Sequence, residues 1–346
     1  MEKALLIVNF GGPRTLSEIE PFLKELLCDQ EVVRTGWPDI FHRFFFTRIA
    51  RKRAKKISAE YEMIGGGSPI YGDTEFVANA LRSSFSEVLT FHRYLPETHG
   101  ASLKKIQEYL DRSEEPLTVF PLFPQFTYAT TGSIAKLFCK ALNKKQLNKL
   151  RWIKSFSSDP RFTAYYQRHI REGLVNMGWK EEETLLLFSA HGIPAAFVRE
   201  GDPYQRECEE GYSLITKGFS LAKALLCYQS QFGKEEWIRP YTKQVCLSID
   251  EIAEGRKRVL FVPFSFTSDH IETLFEVEHQ YIPLLKDRGY EAARLPAFNR
   301  DKAWIELITK LAGEIEPVQN AMLVRCNGKK ILVHPGNRCL FKEESG

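Results

Sequence analysis

His191 and Glu272 are the residues of this sequence whose types and placement best suit chemistry. His191 sits in Ser189-Ala190-His191-Gly192-Ile193-Pro194, just past the apolar run Leu185 to Phe188. In open α/β sheets ligands collect beyond the carboxyl ends of strands, and an imidazole there is placed for proton transfer near neutral pH. A single histidine in such a loop is more often a structural hydrogen-bonder, so the motif alone decides little. Glu272 lies in Phe264-Ser265-Phe266-Thr267-Ser268-Asp269-His270-Ile271-Glu272-Thr273-Leu274-Phe275-Glu276, which also follows an apolar run, Val259 to Val262. Thr267-Ser268-Asp269 predicts the cap of a helix from Asp269 to about Lys286. That helix sets Glu272, Glu276 and Gln280 four apart on one face, with Asp269 three before Glu272. Neighbouring carboxylates raise one another's proton affinity, which suits groups that attract a cation or exchange protons. Standing alone, the segment reads first as a solvated helix face.

Other constellations carry less. His191, His270 and Glu272 as zinc ligands lack the His-Glu-x-x-His spacing. Gly65-Gly66-Gly67-Ser68 lacks the Gly-Lys-Ser/Thr ending of a phosphate loop, and no Gly-x-Gly-x-x-Gly follows the first strand. From Trp37 to Ile49 large aromatics stand beside cations, and between Arg43 and Lys56 there are seven Lys or Arg and no acid. Such a stretch suits a membrane interface, the lining of a pocket for a flat apolar ligand bearing carboxylates, or a core helix with a solvated basic flank.

Positioning these groups calls for an alternating α/β chain. Ala4 to Phe10 reads as a strand buried on both faces, closed by Gly11-Gly12-Pro13 before a helix start at Ser17-Glu18-Ile19-Glu20. Further strands are predicted at Leu117 to Phe123, Trp152 to Phe156, Thr184 to Ser189 and Arg258 to Phe266. Helices are predicted at Gly132 to Leu142, about Arg161 to Met177, and Pro203 to about Tyr228. The 346 residues suffice for two domains, each burying its own core. The first is set at 1–150 and the second at 151–315. A tail at 316–346 has apolar pieces that suit either a packed extension or a marginally ordered terminus. The halves share a rhythm but no residue-level repeat.

Hydrophobic residues at 43% and charged residues at 27% describe a folded globular protein, and a formal charge of +4 makes no case for nucleic acid. The seven cysteines are scattered without a Cys-x-x-Cys pair, which suits a reducing cytoplasm. The N-terminal run carries no processing site, and no stretch reaches the roughly 20 apolar residues of a spanning helix.

Seven motifs, in order, carry a family resemblance over about residues 3–315. They are Asn9-Phe10-Gly11-Gly12-Pro13, Gly65-Gly66-Gly67-Ser68-Pro69-Ile70, Pro121-Leu122-Phe123-Pro124-Gln125-Phe126, the His191 loop from Phe188, Gly201-Asp202-Pro203-Tyr204, Tyr228-Gln229-Ser230 with Trp237, and Ser268 to Leu274. With them the chain resembles the ferrochelatases, enzymes that insert ferrous iron into a porphyrin in haem biosynthesis. The resemblance implies an α/β fold of two Rossmann-like domains, each a parallel sheet flanked by helices, with a porphyrin cleft between them. It also implies a C-terminal segment folded back on the first lobe. It matches His191 and Glu272 to the catalytic pair, and His191, Glu272 and Glu276 to the iron side. The porphyrin pocket is matched by Phe10, Arg93, Tyr94, Gln125, Trp237, Asp269 and His270, with Arg93 and Tyr94 at the ring's edge. Trp37 to Lys56 falls at the lip of the cleft, which implies peripheral contact with a membrane for an otherwise cytoplasmic protein.

The implied reaction explains the residue types. A porphyrin must lose two pyrrole protons before a divalent ion enters its four-nitrogen centre, so the site needs a proton acceptor that is neutral near pH 7. Iron must be held weakly, which carboxylates and one imidazole allow better than thiolates. His191 is taken as the base, although the residues alone leave the reverse assignment open. Phe10 stands where coproporphyrin-using relatives carry a Tyr able to touch the metal, which points to protoporphyrin IX. Tyr128 stands where cluster-bearing relatives carry a Cys, and the tail offers only Cys326 and Cys339, so no iron-sulfur cluster and no other prosthetic group is expected. Gln280 replaces the third carboxylate of the outward row. A coproporphyrin or other tetrapyrrole chelatase, and a non-catalytic porphyrin carrier, are the competing readings.

Overall fold

A computed structural model describes residues 3–233 and 235–325. Its frame is two four-stranded parallel sheets. The first contains β1 (Ala4–Asn9), β2 (Glu87–His92), β3 (Leu117–Pro121) and β4 (Leu150–Trp152), in the order β2-β1-β3-β4. The second contains β5 (Thr184–His191), β6 (Lys223–Gln229), β7 (Arg258–Pro263) and β8 (Glu291–Arg294), in the order β6-β5-β7-β8. Parallel strands need crossovers that lay helices on both sheet faces, which is why β1 and β5 read as unbroken apolar runs rather than alternating ones. Flanking helices of the first lobe include α1 (Ile19–Leu27), α2 (Asp39–Met63), α3 (Ile70–Leu81), α4 (Pro96–Arg112) and α5 (Ser133–Ala141). The crossover helix Pro160–Met177 is bounded by local signals: Asp159 caps its start, proline stands in its first turn, and Gly178 takes a left-handed conformation at its end.

The sheets repeat one topology, and their registers align. Val8 of β1 pairs with Pro121 at the end of β3, and Ser189 of β5 pairs with Pro263 at the end of β7. Two residues further on, the same step therefore carries Phe10 in the first lobe and His191 in the second. The repeat leaves little trace in residue identities: one lobe carries an apolar ring where the other carries an imidazole.

Each lobe buries a core of its own, as expected, but the largest core runs through both. Leu5, Ile7 and Phe120 of the first sheet join Leu186, Phe188 and Val262 of the second, with Phe156, Phe162, Ile170 and Trp304 among them. The helices Pro160–Met177 and Lys302–Glu314 supply the last three of these side chains, so both lobes depend on shared helices. Each sheet is apolar on both faces, and the two inner faces are covered by one common layer. The tail begins on the first lobe: Val318 exchanges backbone hydrogen bonds with Trp152, and Leu323 is fully buried beside Phe138 and Trp152. The apolar piece Ile331 to Val333, Cys326 and Cys339 lie outside the described residues.

Several element boundaries differ from expectation. The predicted helix from Pro203 to Tyr228 is a helix only over Tyr204–Thr216, after which Lys223–Gln229 forms β6. β6 reads poorly as a strand because it is the edge of its sheet and half of it is only partly buried. The strand placed at Trp152 to Phe156 is Leu150–Trp152. The helix expected from Asp269 to Lys286 is a π-helix over Glu272–Tyr281 followed by an α-helical turn, Ile282–Lys286. The Gly65-Gly66-Gly67-Ser68 turn is structural. A Cβ on Gly67 would lie 2.3 Å from the Arg14 carbonyl oxygen, and the Ser68 amide donates to the Pro13 carbonyl at 2.7 Å.

Candidate active site

His191 is the last residue of β5, where its backbone is fixed from two sides. Its amide donates to Ser265 Oγ at 2.9 Å, and Tyr204 Oη donates to its carbonyl at 2.8 Å. The imidazole Nδ1 donates to Glu272 Oε2 at 2.8 Å, from the first residue of the π-helix. A carboxylate only accepts, so Nδ1 carries the hydrogen and the neutral ring keeps its lone pair on Nε2. The imidazole is 38% accessible and its partner carboxylate 19%. Burial works against the imidazolium, but the Glu272 charge outweighs it and raises His191 above the ordinary imidazole value. Burial likewise opposes the Glu272 charge, and His191 followed by His270 overcomes it, holding Glu272 well below the usual carboxylate range.

Glu276 is one step outward. Burial, then the Glu272 charge, pushes its carboxyl up to about 7. Ser230 Oγ stands 2.9 Å from Glu272 Oε2 and 2.6 Å from Glu276 Oε2, so one hydroxyl spans both acids. Gln280 is exposed, and Glu278 is drawn off to Arg294 at 2.8 Å. Trp237 stands edge-on to the imidazole with ring centroids 6.3 Å apart. Gly192 permits this approach, since a Cβ there would meet the Trp237 ring at 3.1 Å. His270 lies 3.8 Å from Glu272 Oε1 and its ring rests on Phe266.

The first lobe closes over this pair. Phe10 packs on Tyr94 with centroids 4.6 Å apart, in an apolar cluster that also takes in Ile271 beside Glu272. Arg53 of α2 lies over the Phe232 ring at 4.4 Å and feels the charges of Glu60, Glu276 and Glu272. Burial, reinforced by Glu272, raises the Tyr61 phenol. Arg53, Tyr61 and Ser230 were assigned no role by sequence reasoning. Only the density of cations in α2 pointed toward Arg53.

Other residues matched to the pocket are committed elsewhere. Arg93 and Tyr94 are buried behind Phe10, not on an open edge. The Arg93 guanidinium meets Asp29 at 2.8 Å and Glu25 at 3.1 Å, and Tyr94 Oη donates to Asp29 at 2.9 Å. Asp269 does not cap the helix. Its carboxylate receives Arg294 at 2.6 Å, Asn299 at 2.8 Å and Thr273 at 2.9 Å. Gln125 is buried, and its side-chain amide has no hydrogen-bond partner among the described residues. Among the described residues no group of three or more His, Cys, Asp or Glu is arranged to hold a metal ion. The five described cysteines are buried.

Twin parallel α/β lobes closing on an imidazole–carboxylate pair define a two-lobed chelatase fold. A protein of Deinococcus radiodurans, DR2241, described as multi-domain with structural similarity to chelatases, superposes with a TM-score of 0.53 at 14% identity, over 92% of this chain and 56% of that one. A family model, Ferrochelatase, matches residues 2–315. The ferrochelatase of Chlamydia pneumoniae is 40% identical over 336 residues, 97% of this chain and 99% of the relative. That of Chlamydia caviae is 40% identical over 326 residues, covering 94% and 100%. The chain belongs to the ferrochelatase family. It is an enzyme of the lyase class in porphyrin and haem biosynthesis, for which ferrous iron is a substrate.

Proposed function

We propose that the cleft inserts ferrous iron into protoporphyrin IX, with His191 as proton acceptor and Glu272 and Glu276 on the iron side. The observation that carries this reading is the 2.8 Å contact between His191 Nδ1 and Glu272. It leaves Nε2 of the neutral ring as the available base, and the carboxylate stabilises the imidazolium as it forms. Two pyrrole N–H protons leave the ring as Fe²⁺ takes their place, so a neutral core and a dication give a neutral metallated core and two released protons. His191 takes these one at a time, returning each to solvent through its accessible edge. Phe10 stands on the first lobe where His191 stands on the second, and a hydrocarbon cannot ligate iron. The metal is therefore approached from the His191 side, and the ring rests on Phe10 and Trp237. We assign the lobes to 1–150 and 151–315; of the extension 316–346, the described part, 316–325, packs on the first.

The outer face of α2 is read as a peripheral membrane contact. Ile40, Phe41 and Phe44 are 73%, 65% and 62% exposed, beside a cavity of about 370 Å³ lined by Lys24, Arg43, Phe44, Thr47, Arg48 and Arg51. Among the described residues no helix is long and apolar enough to cross a membrane. We place the protein in the cytoplasm, touching the bilayer from that side.

The test is steady-state insertion of ferrous iron under reducing, oxygen-free conditions, comparing protoporphyrin with coproporphyrin. Protoporphyrin is expected to be the better substrate, and His191→Ala to lose at least about a hundredfold in turnover while still folding. Wild-type turnover in His191→Ala would remove the proposed base. Preference for coproporphyrin would reassign the substrate, and tight porphyrin binding without proton release on adding iron would leave a carrier.

A further inference from the structure

We propose that Ser230 is a positioning residue for the iron side of the cleft: its hydroxyl ties Glu272 to Glu276 and fixes the spacing of the inner and outer carboxylates. The inference deepens the reading above and rests on it. Three observations carry it.

The first is the backbone. β6 ends at Gln229, which stands beside His191 in the sheet, and the next residue turns into the left-handed region with φ of 64°. A side chain is uncommon there, and glycine would adopt the turn more readily. A serine at this point works against local preference, and what it adds over glycine is one hydroxyl. The second observation is where that hydroxyl goes. It lies 2.9 Å from Glu272 Oε2 and 2.6 Å from Glu276 Oε2. Its single proton serves one carboxylate at a time, and rotation about Cβ–Oγ moves it to the other.

The third observation is that the neighbouring residue grips the same helix turn. Gln229 Nε2 donates to the Glu272 backbone carbonyl at 3.0 Å and lies 3.4 Å from Glu276 Oε2. The π-helix begins at this contact, and wide turns of this kind recur at functional sites. The end of β6 thus places two carboxylates side by side, with the His191 ring on the same Oε2 of Glu272 that Ser230 meets. Strained backbone, a bridging hydroxyl and a gripped helix turn coincide at one residue. Their common product is a fixed separation between the acids that an incoming cation meets in succession. Ser230 reaches the metal through those acids, and porphyrin contacts made by Phe10 and Trp237 do not involve it.

The experiment measures insertion by the full-length chain with separate titrations of ferrous iron and protoporphyrin. Ser230→Gly removes the hydroxyl and relaxes the backbone. It is expected to raise KM for iron about tenfold or more while KM for porphyrin stays within about twofold. Its melting temperature should be equal to or above wild type. Ser230→Asn tolerates the left-handed conformation and returns a donor, so it should recover part of the iron KM and remain informative if the glycine variant folds poorly. An iron KM unchanged in both variants, or iron and porphyrin constants that rise together, would overturn the proposal. Glu272→Gln in the same assay separates the two levels. Full turnover in that variant sinks the assignment of the site itself, whereas a dead Glu272→Gln beside a normal Ser230→Gly sinks only the role of Ser230.

Discussion

An imidazole bonded through Nδ1 to a carboxylate gains basicity at Nε2, and the size of that gain is readable in pH. Burial alone would lower the His191 value; the Glu272 charge reverses the sign. With His191 as the proposed base insertion needs the neutral ring, so kcat/KM is expected to rise with pH through an inflection above the roughly 6.5 of an unperturbed histidine. Glu272→Gln leaves the burial and removes the charge, so the residual activity should show its inflection at lower pH. An unmoved inflection in the pH–rate profile of that variant would detach the carboxylate from the base. The same shifts set the stability window of the pair. His191 binds its proton more tightly folded than unfolded, so its contribution is complete below about pH 6.5 and fades as pH rises through the higher folded value. Glu272 is held low, so its contribution is complete above about pH 4.3 and fades as pH falls through its folded value. The contact therefore stabilises most between those limits. The contact of His191 with Glu272 was legible because each follows an apolar strand and each falls in a ferrochelatase-like motif. Ser230 was not, since nothing local to Tyr228-Gln229-Ser230 tells that it will meet an acid 46 residues away.

At the scale of an element, α2 carries two faces that the sequence blended. His42, Phe46, Ala50 and Ala54 recur every four residues and are buried, and His42 is a core histidine whose ring bonds Thr35 and the Leu27 carbonyl. The opposite face exposes Ile40, Phe41 and Phe44 among arginines. A linear reading sees aromatics beside cations in both cases, and only packing against α1 decides which aromatics turn outward. If that face meets a bilayer, Phe41→Ser with Phe44→Ser should abolish co-sedimentation with anionic vesicles while leaving the melting temperature within a degree or two, because both side chains are already in water. Binding that survives the substitutions, or indifference of the wild type to both lipid and salt, would retire the membrane contact. The helix after Asp269 shows the opposite failure. Its residues suit a regular α-helix with an aspartate cap, and the pull of Arg294, Asn299 and Thr273 on Asp269 moved the start to Glu272 and took the cap away.

At the scale of the molecule, the lobes repeat one topology and share their largest core, and the described part of the tail, 316–325, packs on the first. Leu323 is fully buried beside Phe138 and Trp152. Leu323→Ala is therefore expected to cost about 2–5 kcal/mol in denaturant unfolding, as a core truncation does and a surface one does not. A loss under about 0.5 kcal/mol would make the tail an accessory to the fold. By itself the sequence determined the strand-helix alternation and the apolar strands that His191 and the Glu272 segment follow. These follow from burial patterns within ten or so residues, where covalent geometry already dictates which side chains share a face. Tertiary structure alone decided that Phe10 and His191 occupy equivalent steps, that Asp269 and Arg93 are consumed by internal ion pairs, and that Ser230 joins two acids. Each of those depends on which distant segments meet, and that choice belongs to the packing of the whole chain rather than to any stretch of it.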